Sequence, residues 1–228
     1  MRPSRIRRTK DQWPVCFGWT VAEPGGGWKS LTNAEEIAPI GGGPQPILRR
    51  PRRADASDVL DAFCSNPDMA RQGAVTDIAE AERYLGRLLG DGSAHEPWGI
   101  ALDGCLVGLV CVSVDEANRS GWFWYWMHAT SRGQGLMGRA AATVADWALT
   151  QRGLERLELG HRVNNPASGA VARCAGFRKE GTERGKFFIN GERIDVDIYG
   201  RLRTDPFPTF EPISKLTTSV ISSSARSG

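Results

Sequence analysis

The chain has 228 residues, 40% of them hydrophobic and 24% charged, enough for one sizeable core and one catalytic domain with appended arms. A net charge of only +3 argues against nucleic acid as the main partner, and no apolar run approaches the roughly 18 residues that span a bilayer. Five cysteines, Cys16, Cys64, Cys105, Cys111 and Cys174, show no C-x-x-C spacing, which fits free thiols in a reducing cytoplasm.

Residues 1–46 combine glycine and proline clusters with Trp13, Trp19 and Trp28 and no sustained periodicity, the composition of a loop-rich or partly disordered extension. Arg2, Arg5, Arg7, Arg8 and Lys10 make its start a solvated basic arm, and Arg49, Arg50, Arg52 and Arg53 form a second basic cluster.

A domain is expected over residues 47–203. Ile47 begins a short strand; Asp55 is placed to cap a helix carrying Val59, Leu60 and Phe63 on one face. A second helix is expected from about Asp77 to Leu89, with Thr76 as its cap and Gly90 to Gly92 as its end. Trp98 to Leu102 and Cys105 to Val114 flank an Asp103-Gly104 turn, a strong hairpin pattern, and a third strand spans roughly Gly121 to Ala129. A helix then runs from about Gly135 to Arg152, with Leu136, Ala140, Val144, Trp147 and Ala148 facing a core. A strand follows from Leu154, then a short helix after Asn165 that is closed by Gly176. Phe177 to Ile189 and Glu192 to Leu202 form a last hairpin around Asn190-Gly191. From Thr204 the composition is that of a flexible tail, residues 204–228.

This order describes an α+β layer with a mixed, mostly antiparallel sheet and excludes a doubly wound dinucleotide fold. Trp122 to Ala148 is its organising stretch. An aromatic strand enters a glycine-punctuated loop that opens into a helix, which gathers free N–H groups and the positive end of a helix dipole at one point and suits a pyrophosphate. The loop has no P-loop lysine, and the G-x-G-x-x-G spacing fails at Arg139 and Ala140.

The run Arg132-Gly133-Gln134-Gly135-Leu136-Met137-Gly138-Arg139-Ala140, followed by N-N-P-A-S-G-A-V-A-R-C-A-G-F at Asn164 to Phe177, resembles the GNAT superfamily of acyl-CoA N-acyltransferases, within it the RimJ/RimL-like branch. The resemblance implies a three-layer fold whose sheet is splayed at the acyl-CoA site. It also implies an N-acetyltransferase acting by direct attack of a primary amine on acetyl-CoA, without metal, as a monomer or homodimer. The backbone of Tyr125, Trp126 and Met127 would pair with the pantetheine arm, and Arg132, Gly133, Gln134, Gly135, Leu136, Met137 and Gly138 would hold the pyrophosphate. Asn165 would contact the pantetheine or order its loop. Ser168 would lie near the thioester sulfur and protonate the leaving thiolate. The oxyanion would be held by backbone N–H groups near Met127 and His128.

Trp122 stands where similar sequences carry a glutamate, so Glu116, His128 and Asp115 become the candidate bases, with turn and strand roles as their ordinary alternatives. Freeing an α-amine of pKa about 8 from its proton at pH 7 costs about 1.4 kcal/mol against about 4.6 kcal/mol for a lysine, which favours a peptide N-terminus or a small amine such as an antibiotic. The alternation of Trp122, Trp124 and Trp126 with Phe123 and Tyr125 places the two sets on opposite strand faces, most of them in the core. The alternative activity is a non-catalytic acyl-CoA-binding module with a basic N-terminal arm.

Overall fold

The computed structural model describes residues 45–215. The expectations for the N-terminal extension, its tryptophans and Cys16 fall on residues outside this range, as do residues 216–228.

Eight strands form one open sheet in the order β6-β7-β5-β4-β3-β2-β1-β8. β1 (Ile47–Arg49) pairs antiparallel with β2 (His95–Leu102), and β2, β3 (Cys105–Asp115) and β4 (Ser120–Met127) form the expected meander. Asp103 takes a φ of 50° and Gly104 one of 86°, the left-handed pair that the two-residue hairpin turn requires. β5 (Arg156–Arg162) pairs along its whole length with β7 (Glu192–Leu202), and β6 (Arg178–Ile189) closes that edge.

α1 (Ala56–Cys64) and α2 (Ile78–Leu89) cover one face of the sheet. Trp126 reaches them, its ring edge-on to Phe63 and its Nε1 donating to the Tyr84 hydroxyl at 2.9 Å. α3 (Leu136–Thr150) and α4 (Pro166–Cys174) cover the other face, where Phe123 packs against Phe177 and Tyr125 bonds to Ser168. Strand alternation thus divides the aromatics as expected, and Phe123 to Met127 are all buried.

Two helix starts differ in detail from the sequence reading. Asp55 is the N-cap of α1, yet its carboxylate makes no bond to that helix; it receives a bidentate pair from buried Arg49 at 2.7 Å on each arm and the Arg52 N–H at 2.6 Å. Charge-assisted bonds to the guanidinium and the Arg52 N–H turn that carboxylate back toward β1 and away from the first turn of α1. α2 is capped by Asp77, which accepts from Glu80 N–H, while Thr76 donates through its N–H and its hydroxyl to the Glu80 carboxylate. In the second basic cluster, Arg49 is buried on Asp55, Arg50 pairs with Glu96 with its guanidinium 4.5 Å from the Trp98 ring centroid, and Arg52 and Arg53 are exposed.

The segment expected to be a mobile tail is docked as far as Lys215. It runs over α3 and adds β8 (Ser214–Lys215) parallel to β1. Arg139 donates to the Glu211 carbonyl and pairs with its carboxylate, Thr143 Oγ1 accepts from Ile213 N–H, and Ile213 is 2% exposed. This strap is why α3 is buried on nearly all sides, Ala141 and Ala142 included.

Candidate active site

The sheet opens between its two central strands. β4 and β5 pair parallel only from Ser120–Trp122 to Arg156–Glu158, although each keeps full pairing with its outer neighbour. Beyond Trp122 they diverge, and the gap has strand backbone on both sides and helix N-termini at its wide end, α3 after β4 and α4 after β5.

Pleat alternation settles which β4 groups face the gap. His128 N–H donates to the Val107 carbonyl at 2.8 Å, so residue 128 points its backbone at β3 and Met127 points its own N–H the other way. Of the two residues expected near an oxyanion, only Met127 turns its N–H toward the gap. Its carbonyl, on the same side, accepts from Nε and Nη2 of Arg132, each at 3.1 Å.

Arg132 to Gly138 form the loop at the head of α3. Gly133 and Gly135 take φ of 77° and 71°, and a Cβ added to either would meet no protein atom within 4 Å. These glycines are required by their left-handed backbone and leave open space above it. Gly135 is the N-cap of α3 and supplies no side chain, so the N–H groups of Leu136, Met137 and Gly138 in the first helical turn have no cap bond. The Leu136 and Met137 side chains are buried, so these residues face the loop through backbone alone, and Gln134 is exposed. Gly138 has a second use: an added Cβ would lie 2.9 Å from Cys174 Sγ, so its bare Cα lets α3 approach α4.

Asn165 and Ser168, across the gap at the start of α4, are both fully buried. Asn165 Oδ1 accepts from Ser168 N–H at 3.2 Å as the helix cap, and its Nδ2 is buried with no partner. Ser168 Oγ lies 2.7 Å from the Tyr125 hydroxyl, which also donates to the Ser168 carbonyl at 3.1 Å. A hydroxyl pair therefore ties β4 to α4 across the gap. The two helix N-termini, the uncapped glycine loop and the unpaired Asn165 amide fit a donor with a pyrophosphate head and an amide-bearing arm. Among the described residues no cluster of His, Cys, Asp and Glu could hold a metal.

The other candidates lie elsewhere. Glu116 sits in the β3–β4 turn, ion-paired with Arg152 at the C-terminal end of α3, and seven residues of strand, about 23 Å, separate that turn from Met127. Asp115 receives Asn118 in the same turn. His128 flanks the gap mouth, but its Nδ1 accepts Thr130 N–H at 3.2 Å and lies 2.8 Å from Thr130 Oγ1, so its proton sits on Nε2, 3.1 Å from Asp61. The lone pair a base needs is spent on capping the 3-10 turn Ala129–Ser131. Trp122 is the last residue of β4 to pair with β5, and it packs beside Gly160.

Two arginines that the sequence reading did not single out lie on the α1/α2 face of the gap. Arg162 ends β5, and Arg71 closes the 3-10 turn Pro67–Arg71. Their only signal was position: the end of a strand, and the connection between two helices.

The Acetyltransferase (GNAT) domain family matches residues 46–178. YdaF of Bacillus subtilis, whose name assigns it to the ribosomal N-acetyltransferases, is 28% identical over 144 residues, 63% of this chain and 76% of that protein. The ribosomal-protein-S5-alanine acetyltransferase of Vibrio fischeri superposes with a TM-score of 0.62 at 22% identity, over 69% of this chain and 93% of that one. The microcin C7 self-immunity acetyltransferase MccE, in complex with acetyl-CoA and AMP, superposes with a TM-score of 0.59 at 21% identity, over 67% and 89%. The chain belongs to the GNAT acetyltransferase family, in its RimJ/RimL-like branch. It is an acetyltransferase that uses acetyl-CoA as its donor and an amine as its acceptor, so a purely acyl-CoA-binding module is set aside. No helix of the described residues is long and apolar enough to cross a membrane.

Proposed function

We propose that the protein acetylates an amine of low pKa, an N-terminal α-amine or a small amine of similar basicity, in the cytoplasm. The carrying observation is the absence of a poised base among the sequence candidates: Glu116 is spent on Arg152 far from the gap, and His128 is locked as a cap. An acceptor already partly neutral at pH 7 needs only water to take its proton.

Acetyl-CoA would lie with its pyrophosphate on the N–H groups from Gly133 to Gly138 and its arm between Tyr125–Met127 and Asn165. Met127 N–H is aimed into the gap, where it would stabilise the oxyanion of the tetrahedral intermediate. The amine lone pair forms the C–N bond as the carbonyl pair moves to oxygen, and the C–S bond breaks when that pair returns. The proton lost by nitrogen goes to water, and the departing thiolate takes one from Ser168, which recovers a proton from water as the products leave.

The test is thiol release from acetyl-CoA with two peptides of one sequence, the first with a free α-amine, the second Nα-blocked and carrying one lysine. Turnover is expected with the first alone. Equal rates on the blocked lysine peptide would sink the reading. Gly135→Val probes the cradle: a β-branched side chain at φ 71° is strained and fills the phosphate space, so acetyl-CoA affinity by calorimetry should fall about 100-fold or more.

A further inference from the structure

Arg162 is 6% exposed, and its guanidinium makes no hydrogen bond or ion pair among the described residues; its Nε is fully buried without a partner. Arg71 is little better satisfied. Its Nη1 is buried without a hydrogen bond and approaches Asp68 at only 3.8 Å. Burial and the neighbouring charge of Arg71 both lower the affinity of Arg162 for its proton, with Asp68 opposing them, and Asp68 is also the carboxylate whose field bears on Arg132. Three guanidiniums, Arg71, Arg132 and Arg162, therefore share the field of one carboxylate. Burying an uncompensated cation costs several kcal/mol, so such a site is built to be completed by an anion.

The location identifies whose anion it is. On β5 the side chain of Arg162 alternates with that of buried His161, which lies against Gly169 of α4, so Arg162 points to the opposite face, shared with Trp122, Trp124 and Trp126. The glycine loop that would take the donor's pyrophosphate opens at the head of α3, on the other face. Arg71 instead lines a cleft of about 410 Å³ with Phe187, Phe188, Ile189 and Asn190 of the β6–β7 hairpin. That open cleft is lined by both apolar and polar groups, with the Arg71 cation among them.

Building on the proposed acetyl transfer to a low-pKa amine, we infer that Arg71 and Arg162 receive a carboxylate of the acceptor, so that the enzyme selects amines bearing an acidic group near the reactive nitrogen and discriminates against polycationic amines. A planar, bidentate guanidinium is the group best matched to a carboxylate.

The experiment compares Ser-Asp-Asp, Ser-Asn-Asn and Ser-Lys-Lys N-terminal peptides of otherwise identical sequence, with spermidine as a polycationic amine. It reads kcat/KM by thiol release and peptide affinity for the CoA-loaded full chain by calorimetry. The acidic peptide should exceed the neutral one about 30-fold in both readouts, the yield of one to two charge-assisted hydrogen bonds. In Arg71→Gln and in Arg162→Met the acidic-to-neutral ratio should collapse toward one, with acetyl-CoA affinity retained. The variant at the half-buried Arg71 covers the case in which Arg162→Met fails to fold. Equal affinity for the three peptides, or a preference for the basic one, overturns the inference. So does a loss of acetyl-CoA affinity in Arg162→Met, which would assign the arginine to the donor's phosphates. The calorimetric arm separates this from failure of the transfer reading, since acidic selectivity in binding survives even if no peptide releases thiol.

Discussion

Ser168 and Tyr125 share one short hydroxyl contact that joins β4 to α4 across the gap where the acyl group would lie. Both are buried, so the pair is shielded from bulk water, and a proton delivered from it to a thiolate need not compete with solvent. Ser168→Ala should lower kcat about 100-fold at saturating substrates, and Tyr125→Phe should lower it less because Ser168 keeps its own proton. Unchanged kcat in Ser168→Ala would leave the serine as a cap and nothing more. His161 supplies a different prediction at the same scale. It is 4% exposed, and burial lowers its affinity for a proton, opposed by its hydrogen bond to the Arg162 carbonyl and by Asp197 and reinforced by Arg173 and Lys179; burial acts on His95 in the same direction. Below about pH 6.5 the unfolded chain protonates these imidazoles more readily than the native protein does. Stability should therefore be constant above that pH and decline as pH falls through it, so the urea midpoint should be lower at pH 5.5 than at pH 7.5. In His161→Gln the decline should be shallower, and an equal slope would remove His161 from the account.

At the scale of elements, the division of β4 was legible because a strand alternates its side chains: the tryptophan set went to α1 and α2, the Phe/Tyr set to α3 and α4. Strand and helix boundaries came within a few residues for the same reason, since apolar periodicity records which face is buried. What periodicity could not convey is how far two strands stay together. The β4–β5 pairing stops at Trp122 because of what packs around it, and no local pattern marks that position. Arg201 shows the same limit. It is a charged residue at the end of a strand, yet fully buried, donating to the Ala175 carbonyl at 2.8 Å and to Asp146 at 2.6 Å. It thereby ties β7 to both α3 and the end of α4. Burial nevertheless leaves the Asp146 carboxyl above its ordinary pKa, with Arg201 drawing it back. Arg201→Met should cost about 3 kcal/mol by urea unfolding, the lower end for breaking a buried pair because Asp146 keeps some access to water. A loss below about 1 kcal/mol would show that the clamp contributes little.

Across the whole molecule, the segment from Asp205 to Lys215 closes the face that carries α3. Pro208 lies against Gly176, Phe207 stacks on the Arg201 guanidinium at 5.1 Å, Ile213 is buried over Thr143, and β8 pairs with the otherwise unpaired edge of β1. Covering an edge strand also blocks sheet-to-sheet association. Truncation after Asp205, compared with truncation after Lys215, should destabilise by about 2–4 kcal/mol, chiefly from Ile213 and Phe210. Calorimetric melting should fall by roughly 5–10 °C. Equal melting temperatures would mean that the strap rests on the domain without holding it.

The candidate loop was readable from residue types alone, because a left-handed turn at the head of a helix demands glycine and glycine at that density is visible in any sequence. Element order, the faces of the aromatic strand and the helix start after Asn165 were determined in the same local way, each by interactions within a few residues, whereas the cap of α2 fell on Asp77 and not on the expected Thr76. Which carboxylates and imidazoles are available was decided only in three dimensions. Glu116 and His128 lie within a dozen residues of each other, yet one is paired at the far end of the sheet and the other is locked by its own loop. Arg71 and Arg162 are 91 positions apart in number and share one carboxylate's field. Whether a charge is free depends on which distant group reaches it first, and only the packed sheet and its helices determine that.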